Sequence, residues 1–589
     1  VADLLAIIAD DPAEHVPPPE LDRLLADYEA LRGKPERELL AVGDRARAYA
    51  LGRQTPTSGV ETRGEEWTAW AGSLCPDPAA MTGPLERLDG QFALLRLRQD
   101  GSALLAADPL GLKPLFVSRR GGLTYVATSA LVLARHLRSA PSRLGLEAFL
   151  RGGLQFGRWT EWEGVERVQP AQALEFDPGG AKARTYWEPA RDEALARLPL
   201  AEAAALCVER ARAAIGERYG GRRPWIDLTG GFDSRLLGLL VADAGIEPIA
   251  NTVGEEEDED VRIARRLALA KGWPWSRIGL PLDWGERLPA LAPEAVAWGD
   301  GHLDALQLAE VLLGHRQKAE REPLLLNGGG GEEFRDHPWG HELFAAGRTS
   351  KVGYDRLIAW RILLPVDLSA LRDDPGDRVA ALFREELEAR ARPFASEPNS
   401  FQDDLLYALK MTGHSGAYQA AGGGAMDVEV PFYLRPILGT VISFSLRNRR
   451  FHRLMREMTR QLDPRAAALP TESGGPAEPV RAGNLHRFAP YAWRRGRRFA
   501  HRARGRLSDR SGPEPPPGAS EAARAALVAH LRREGRLNPA EMRTGPLYDA
   551  ARLDTLLDRS ATQPMAVDWS AVGRIVTLEL ALEAADAGL

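Results

Sequence analysis

Trp225-Ile226-Asp227-Leu228-Thr229-Gly230-Gly231-Phe232-Asp233-Ser234-Arg235-Leu236-Leu237 reads as an apolar strand, a tight glycine turn and the start of a helix. The sequence around it keeps the same rhythm. An alanine-rich helix (200–218) comes first, a strand (224–228) leads into the turn, and a helix from Ser234, a strand (248–253) and a further helix (258–270) follow. Strands separated by roughly ten to fifteen helical residues imply a parallel sheet covered by helices. The turn then falls at the carboxyl end of a strand, where ligands bind in open α/β folds. The candidate loop runs from Leu228 to Arg235. Gly230 and Gly231 let the backbone approach a phosphate closely, and the helix N-terminus offers unpaired N–H groups to negative charge. Thr229 and Ser234 can add hydroxyl donors, while Asp233 suits a magnesium ion held between its carboxylate and the phosphates. No Gly-Lys-Ser/Thr follows at the required offset, which excludes a Walker loop.

The 589 residues exceed one hydrophobic core and imply several packed units. The first third reads as short strands (67–72, 92–95, 103–107, 114–117 and 123–127) punctuated by Gly, Pro and Asp, hence a β-rich front. Beyond about residue 355 the pattern is mostly helical, and no fixed-period repeat occurs. With 44% hydrophobic and 27% charged residues the composition is that of a soluble globular protein. No stretch approaches the ~18 apolar residues of a membrane span, so none is expected. Val1-Ala2-Asp3-Leu4-Leu5 lacks the basic start and apolar run of a secretory signal, so the expected location is cytoplasmic. The two cysteines, Cys75 and Cys207, lack a metal-type spacing and read as buried thiols. A formal charge of −6 argues against nucleic acid as the partner. One segment differs: arginines crowd 481–510 and run into Ser511-Gly512-Pro513-Glu514-Pro515-Pro516-Pro517-Gly518. It reads as a solvated helix and linker, with an acidic peptide or nucleic acid as the alternative occupant.

The segment Leu228-Thr229-Gly230-Gly231-Phe232-Asp233-Ser234 resembles the pyrophosphate loop, Ser/Thr-Gly-Gly-x-Asp-Ser, of the asparagine-synthetase superfamily. Ile249-Ala250-Asn251-Thr252-Val253-Gly254 is similar to the strand whose edge meets adenine in that family, which implies adenine contacts at Thr252 and Val253. Leu325-Leu326-Asn327-Gly328-Gly329-Gly330-Gly331-Glu332-Glu333-Phe334 resembles the second glycine-rich motif, Gly-x-Gly-x-Asp-Glu-x-Phe. Glu332 stands where the second metal-binding aspartate would, and Gly330 would approach the nucleotide. Val430-Pro431-Phe432, Leu446-Arg447 and Val576-Thr577-Leu578-Glu579-Leu580 also resemble family landmarks. The resemblance implies an α/β plus β-rich fold: an N-terminal Ntn-hydrolase-like, class II glutamine amidotransferase-like sandwich domain (1–192), then a parallel-sheet PP-loop ATP pyrophosphatase domain of the adenine nucleotide α-hydrolase type (193–480). An Arg-rich segment and Pro/Gly linker (481–518) and C-terminal helices packed on the synthetase domain (519–589) complete it. ATP and Mg2+ are the implied cofactors, with Asp233 and Glu332 as metal ligands.

Leu88-Asp89-Gly90-Gln91-Phe92-Ala93, Ala107-Asp108-Pro109-Leu110-Gly111-Leu112-Lys113-Pro114-Leu115-Phe116 and Ala127-Thr128-Ser129 look like that family's glutaminase-domain signatures. That domain works with a cysteine at the mature N-terminus, where this chain has Val1-Ala2-Asp3. The strand that reads Asn-Gly-Glu in the family reads Ala71-Gly72-Ser73 here, without the oxyanion-hole donor and the anchoring carboxylate. The expectation is a structural front domain, as in the β-lactam synthetases and lasso-peptide cyclases. In those branches an adenylated carboxylate is attacked by an amine of the substrate itself. The expected reaction is therefore ATP-dependent amide ligation with release of AMP and pyrophosphate, such as macrolactam closure of a lasso-type peptide. The partners this implies are a carboxylate-bearing small molecule or peptide, and a precursor peptide with its processing proteins. Amidation of a small carboxylate with free ammonia, and a degenerate nucleotide-binding scaffold, are the alternatives. The β-lactam-type tyrosine position is Gly329, with Tyr433 and Tyr418 as substitutes, and His414 could sit at the mouth of the site. No lysine follows Lys410, so the family's late lysine has no direct counterpart. Arg481 is the candidate for its charge and Arg235 the other cation; each faces phosphate or solvent.

Overall fold

The computed structural model describes residues 3–10, 14–42, 44–52, 59–74, 83–155, 157–177, 180–335, 353–363, 366–494 and 519–589. Val1, Ala2, Cys75 and the 495–518 part of the Arg-rich segment and linker lie outside the described residues.

The front of the chain forms two six-stranded antiparallel sheets. One has the order β10-β8-β9-β1-β3-β2, built from β1 (Asp3–Ala9), β2 (Arg37–Val42), β3 (Ala46–Leu51), β8 (Phe116–Arg120), β9 (Leu123–Ala127) and β10 (Glu166–Arg167). The other runs β12-β11-β7-β6-β5-β4, from β4 (Gly59–Arg63), β5 (Glu66–Leu74), β6 (Gly90–Arg98), β7 (Ala103–Ala107), β11 (Gln172–Asp177) and β12 (Gly180–Thr185). Leu4, Ala6 and Ile8 of β1 meet Ala93, Leu95 and Leu97 of β6 between the sheets. Leu5, Ile7 and Ala9 face a helical layer on the other side. Because both faces of β1 are buried, it has none of the alternation that marks a half-exposed strand. The strand expected at 114–117 begins at Phe116 instead. Buried Asp108 accepts the N–H groups of Leu110, Leu112 and Lys113 and holds that stretch as a loop.

Behind this front lies a five-stranded sheet in which all pairings are parallel, ordered β15-β14-β13-β16-β17. Its strands are β13 (Trp225–Asp227), β14 (Ile249–Val253), β15 (Trp275–Ile278), β16 (Leu324–Leu326) and β17 (Asp427–Glu429). Helices Leu200–Tyr219, Asp233–Asp243 and Glu259–Lys271 alternate with the first strands. β17 falls in the stretch read as mostly helical; a three-residue strand is too short to give a period. From β13 the chain goes to β14 on one side and later to β16 on the other. The strand order therefore reverses at β13, which opens a crevice at its carboxyl end.

The helices Ala519–Arg533, Ala550–Thr562 and Trp569–Ala584 share one hydrophobic core with Trp284–Gly299, Ala305–Ala319 and the helical layer of the front. Arg135 Nη1 donates to the Ala584 carbonyl (2.6 Å) and Arg574 Nη1 to the Leu150 carbonyl (2.8 Å), tying the last helix directly to the front. Among the described residues no helix is long and apolar enough to cross a membrane.

Candidate functional site

Both glycine motifs open into the crevice at the end of β13. Leu228 N–H donates to the Asn251 carbonyl (2.7 Å), and the Leu228 carbonyl accepts Thr252 Oγ1 (2.9 Å). The chain then turns on its own hydroxyls. Thr229 N–H donates to Ser234 Oγ (3.0 Å), and Gly231 N–H to Thr229 Oγ1 (3.1 Å). Gly230 N–H donates to Asp260 Oδ1 (3.1 Å), so this donor is already engaged by a carboxylate. A Cβ on Gly230 would lie 2.7 Å from that same oxygen, which leaves no side chain but hydrogen there.

Phe232 leads into the helix Asp233–Asp243 and is held from two sides. His452 stacks on its ring at 4.6 Å, and the Arg456 guanidinium lies 4.8 Å from its centroid. His452 (φ 61°) and Phe451 (φ 54°) are left-handed, a conformation that costs ~1–3 kcal/mol per non-glycine residue and concentrates at functional sites. Burial, helped by Arg335 and Arg456, pulls the His452 imidazole down to about 3, so it stays neutral.

The second glycine loop follows β16 and lies against the first. A Cβ at Gly328 would stand 3.2 Å from Ser234 N, and one at Gly331 only 2.4 Å from Asp233 Cγ. Gly330 (φ 83°) caps the short Gly331–Phe334 turn and faces the Tyr433 ring, 3.1 Å from where its Cβ would be. This brings Asp233 and Glu332 together. Arg335, the residue after that turn, spans them: Nη2 is 2.8 Å from Asp233 Oδ2 and 3.4 Å from Glu332 Oε1. Burial raises the Asp233 carboxyl to about 7, against the pull of Arg335 and with Glu332 and Glu472 adding to the rise.

The other two oxygens, Asp233 Oδ1 and Glu332 Oε2, are buried and without hydrogen-bond partners. Two orphaned carboxylate oxygens fit a divalent cation. Among the described residues no group of three or more His, Cys, Asp or Glu could hold one, so such a cation would complete its shell from phosphate and water. That is the usual habit of magnesium.

A third segment, absent from the sequence reading as a carboxylate source, covers the first loop. Thr471–Gly475 forms a tight turn, Glu472 N–H donates to the Gly230 carbonyl (3.0 Å), and Arg494 clamps the Glu472 carbonyl (2.8 Å) to Glu259 (2.6 Å). Nothing in the local pattern around Glu472 marks it as reaching the first loop. Arg335 was missed too, although it adjoins Phe334 of the quoted motif.

Several expected residues stand away from the two carboxylates. Arg235 does not face phosphate: it is fully buried and donates to the carbonyls of Ala466 (3.1 Å), Leu469 (3.0 Å) and Pro470 (2.6 Å), pinning the chain that leads into the Glu472 turn. Arg481 is exposed and its neighbours are Asn484 and Glu457, not the carboxylates. Thr252 gives its hydroxyl to Leu228 and receives Trp275 Nε1 (3.1 Å), while the Val253 side chain is 65% exposed. His414 packs on Tyr418, whose hydroxyl donates to Gln307 (3.1 Å), so neither lies at the loops. Tyr433 does. Its buried hydroxyl has no partner and adjoins Glu333, a buried carboxyl pushed well above the usual range by desolvation and by Asp404, against Arg449. Cys207 is buried, its thiol raised to about 12 by desolvation.

In the front, Gly72 (φ 87°) pairs with Phe92 so closely that a Cβ would meet the Gln91 carbonyl at 2.2 Å. Beside it, Ser73 accepts Arg218 through both its carbonyl (2.8 Å) and its hydroxyl. Arg218 in turn pairs with Glu429 of β17 (2.9 Å), with both side chains 3% exposed. Residues 82–187 match the family model of the glutamine amidotransferase domain. This amidotransferase-like segment includes β6 to β12 and the Asp108 loop. Among solved structures, the chain is similar to glutamine phosphoribosylpyrophosphate (PRPP) amidotransferase from B. subtilis complexed with ADP and GMP: 12% identity over 47% of this chain and 65% of that one, TM-score 0.22. It is also similar to the allosteric regulatory enzyme of purine biosynthesis: 13% identity, 47% and 64% coverage, TM-score 0.23. The chain thus spans less than two thirds of either, and no curated protein matches it.

Proposed function

We propose that the chain is an ATP-dependent ligase of the asparagine-synthetase type, which activates a carboxylate with release of AMP and pyrophosphate and joins it to an amine. The observation that carries this reading is the meeting of two glycine loops, Thr229–Ser234 and Gly328–Gly331, at the strand-order reversal of a parallel sheet, with Asp233 and Glu332 facing each other across them. Thr229, Gly230, Gly231 and Ser234 would cradle the phosphates, and the backbone edge at Thr252 and Val253 would take adenine. Asp233 and Glu332 would hold a divalent cation, whose positive charge would stabilise a departing pyrophosphate. The charge expected of Arg481 falls to Arg335, which already stands between the carboxylates.

The nitrogen comes, in the favoured reading, from the substrate. Where an amidotransferase of the resembled family has an anchoring carboxylate, Ser73 is committed to Arg218. A carboxylate-bearing peptide that carries its own amine, as in a lasso-type precursor, is the substrate class this favours. A second reading takes nitrogen from glutamine, and the match at 82–187 speaks for it.

The test is product analysis of ATP and Mg2+ with the protein and, in separate arms, glutamine, aspartate plus ammonium, and a co-encoded peptide, comparing wild type with Asp233→Ala. AMP and pyrophosphate in one arm only, lost in the variant, establish the ligase and its substrate class. Glutamate release in the glutamine arm moves the chain to the second reading. ADP as the product, or no nucleotide binding by calorimetry, refutes both.

A further inference from the structure

Arg335 stands in an unusual place for a cation. One nitrogen, Nη2, touches both carboxylates that a divalent cation would use, while Nε is buried without a partner. The side chain is 21% exposed, about as much as Asp233 (24%) and Glu332 (20%), so solvent reaches all three. A guanidinium fixed there neutralises part of the carboxylate charge and repels a second cation approaching the same pair. A free divalent cation must therefore displace it with nothing to receive it. A triphosphate changes that balance, because its oxygens match the planar fork of an arginine.

We propose that Arg335 is a latch that keeps Asp233 and Glu332 closed to free divalent cation and yields only to a nucleoside triphosphate, which receives the guanidinium, so that metal and nucleotide enter together. The proposal rests on the nucleotide reading above. It makes Arg335 a positioning residue in the free protein and a phosphate ligand in the complex. The reciprocity of linked binding then requires that nucleotide raise cation affinity by the same factor as cation raises nucleotide affinity.

The test uses Mn2+ as the probe cation and α,β-methylene ATP as the nucleotide, both followed by calorimetry on the full chain. In nucleotide-free protein, Arg335→Ala and the near-isosteric Arg335→Gln bind Mn2+ at least tenfold more tightly than wild type, whereas Arg335→Lys, which keeps the charge, stays within about threefold of wild type. In wild type, the analogue raises Mn2+ affinity at least tenfold; in Arg335→Gln that gain shrinks. Circular dichroism and melting temperature identify a variant that has not folded, and either neutral variant alone decides the question. Equal Mn2+ affinities in wild type and a folded neutral variant, both strong or both absent, overturn the latch while leaving the nucleotide reading intact if the analogue binds. Failure of every protein to bind the analogue, with or without Mn2+, overturns the nucleotide reading and the latch with it.

Discussion

Substituting Gly331 by alanine tests the contact on which the site is built. The added Cβ would lie 2.4 Å from Asp233 Cγ and 2.6 Å from both its Cβ and Oδ1. Carbon–carbon contacts settle near ~3.5–4.0 Å, so the carboxylate must retreat by about 1 Å. The Arg335 contact to Asp233 Oδ2 (2.8 Å) must shift with it. Overpacking of this kind costs ~1–3 kcal/mol. If the site must regain its present shape to bind nucleotide, that strain weakens affinity by roughly 5- to 150-fold. The assay is calorimetry of α,β-methylene ATP with Mg2+, together with the melting temperature of nucleotide-free protein. Two companions calibrate it. Gly328→Ala meets neighbours at 3.2–3.3 Å, which a shift of a few tenths of an ångström relieves, so its affinity falls by less than about fivefold. Gly439→Ala, in the helix Arg435–Ser443 with nothing within 4 Å, leaves binding unchanged and gains ~0.5–1 kcal/mol from helix propensity. Gly331→Ala behaving like Gly439→Ala in both measurements would refute the close approach of the two loops. The melting arm tests the packing even without nucleotide.

Arg218→Met leaves Glu429 charged and buried without its partner and costs ~3–5 kcal/mol, most of which returns in Arg218→Met/Glu429→Met; chemical denaturation of both variants checks this. Arg235→Met strips three carbonyls of their donor and destabilises by at least ~1.5–3 kcal/mol, read as a lower melting temperature and new protease cleavage near 466–475. Buried His302 lies 2.5 Å from Glu161. Desolvation lowers its pKa, but Glu161 and then Asp300 outweigh that, against Arg167, and lift it above the ordinary 6.5. A histidine raised in the folded state stabilises fully below the unfolded value and loses that contribution as pH climbs through the folded one. Wild type should therefore lose melting temperature relative to His302→Gln as pH rises from about 6.5; parallel curves would refute the charged pair.

What the sequence made legible was the alternation around Leu228–Arg235, because each strand there is followed by a helix of clear period and the glycines punctuate the turn. The parallel sheet and the positions of β13, β14 and their helices follow that reading closely. β1 and β17 escaped it for opposite reasons: β1 is apolar on both faces, and β17 is three residues long. The candidate site was half legible. Thr229, Asp233 and Glu332 sit in motifs with local spacing, whereas Glu472 and His452 reach the first loop from the helical half of the chain, a closure that local pattern does not encode. Arg235 misled because its place beside the loop is a statement about the chain, while its side chain points where the helix face points, into the core.

The core shared by the front and the last helix bears on how the protein is made. Leu5 and Ile7, Leu131 and Leu133, and Val576 and Leu582 belong to one apolar cluster. A ribosome releases the first of these hundreds of residues before the last, at ~5–20 residues per second, so the helical face of the front waits tens of seconds for its cover. During that interval the nascent chain presents an oily surface to the cell. Holdase-type chaperones, and the rate of translation through the second half of the message, then decide how much of the protein reaches its native state rather than aggregating.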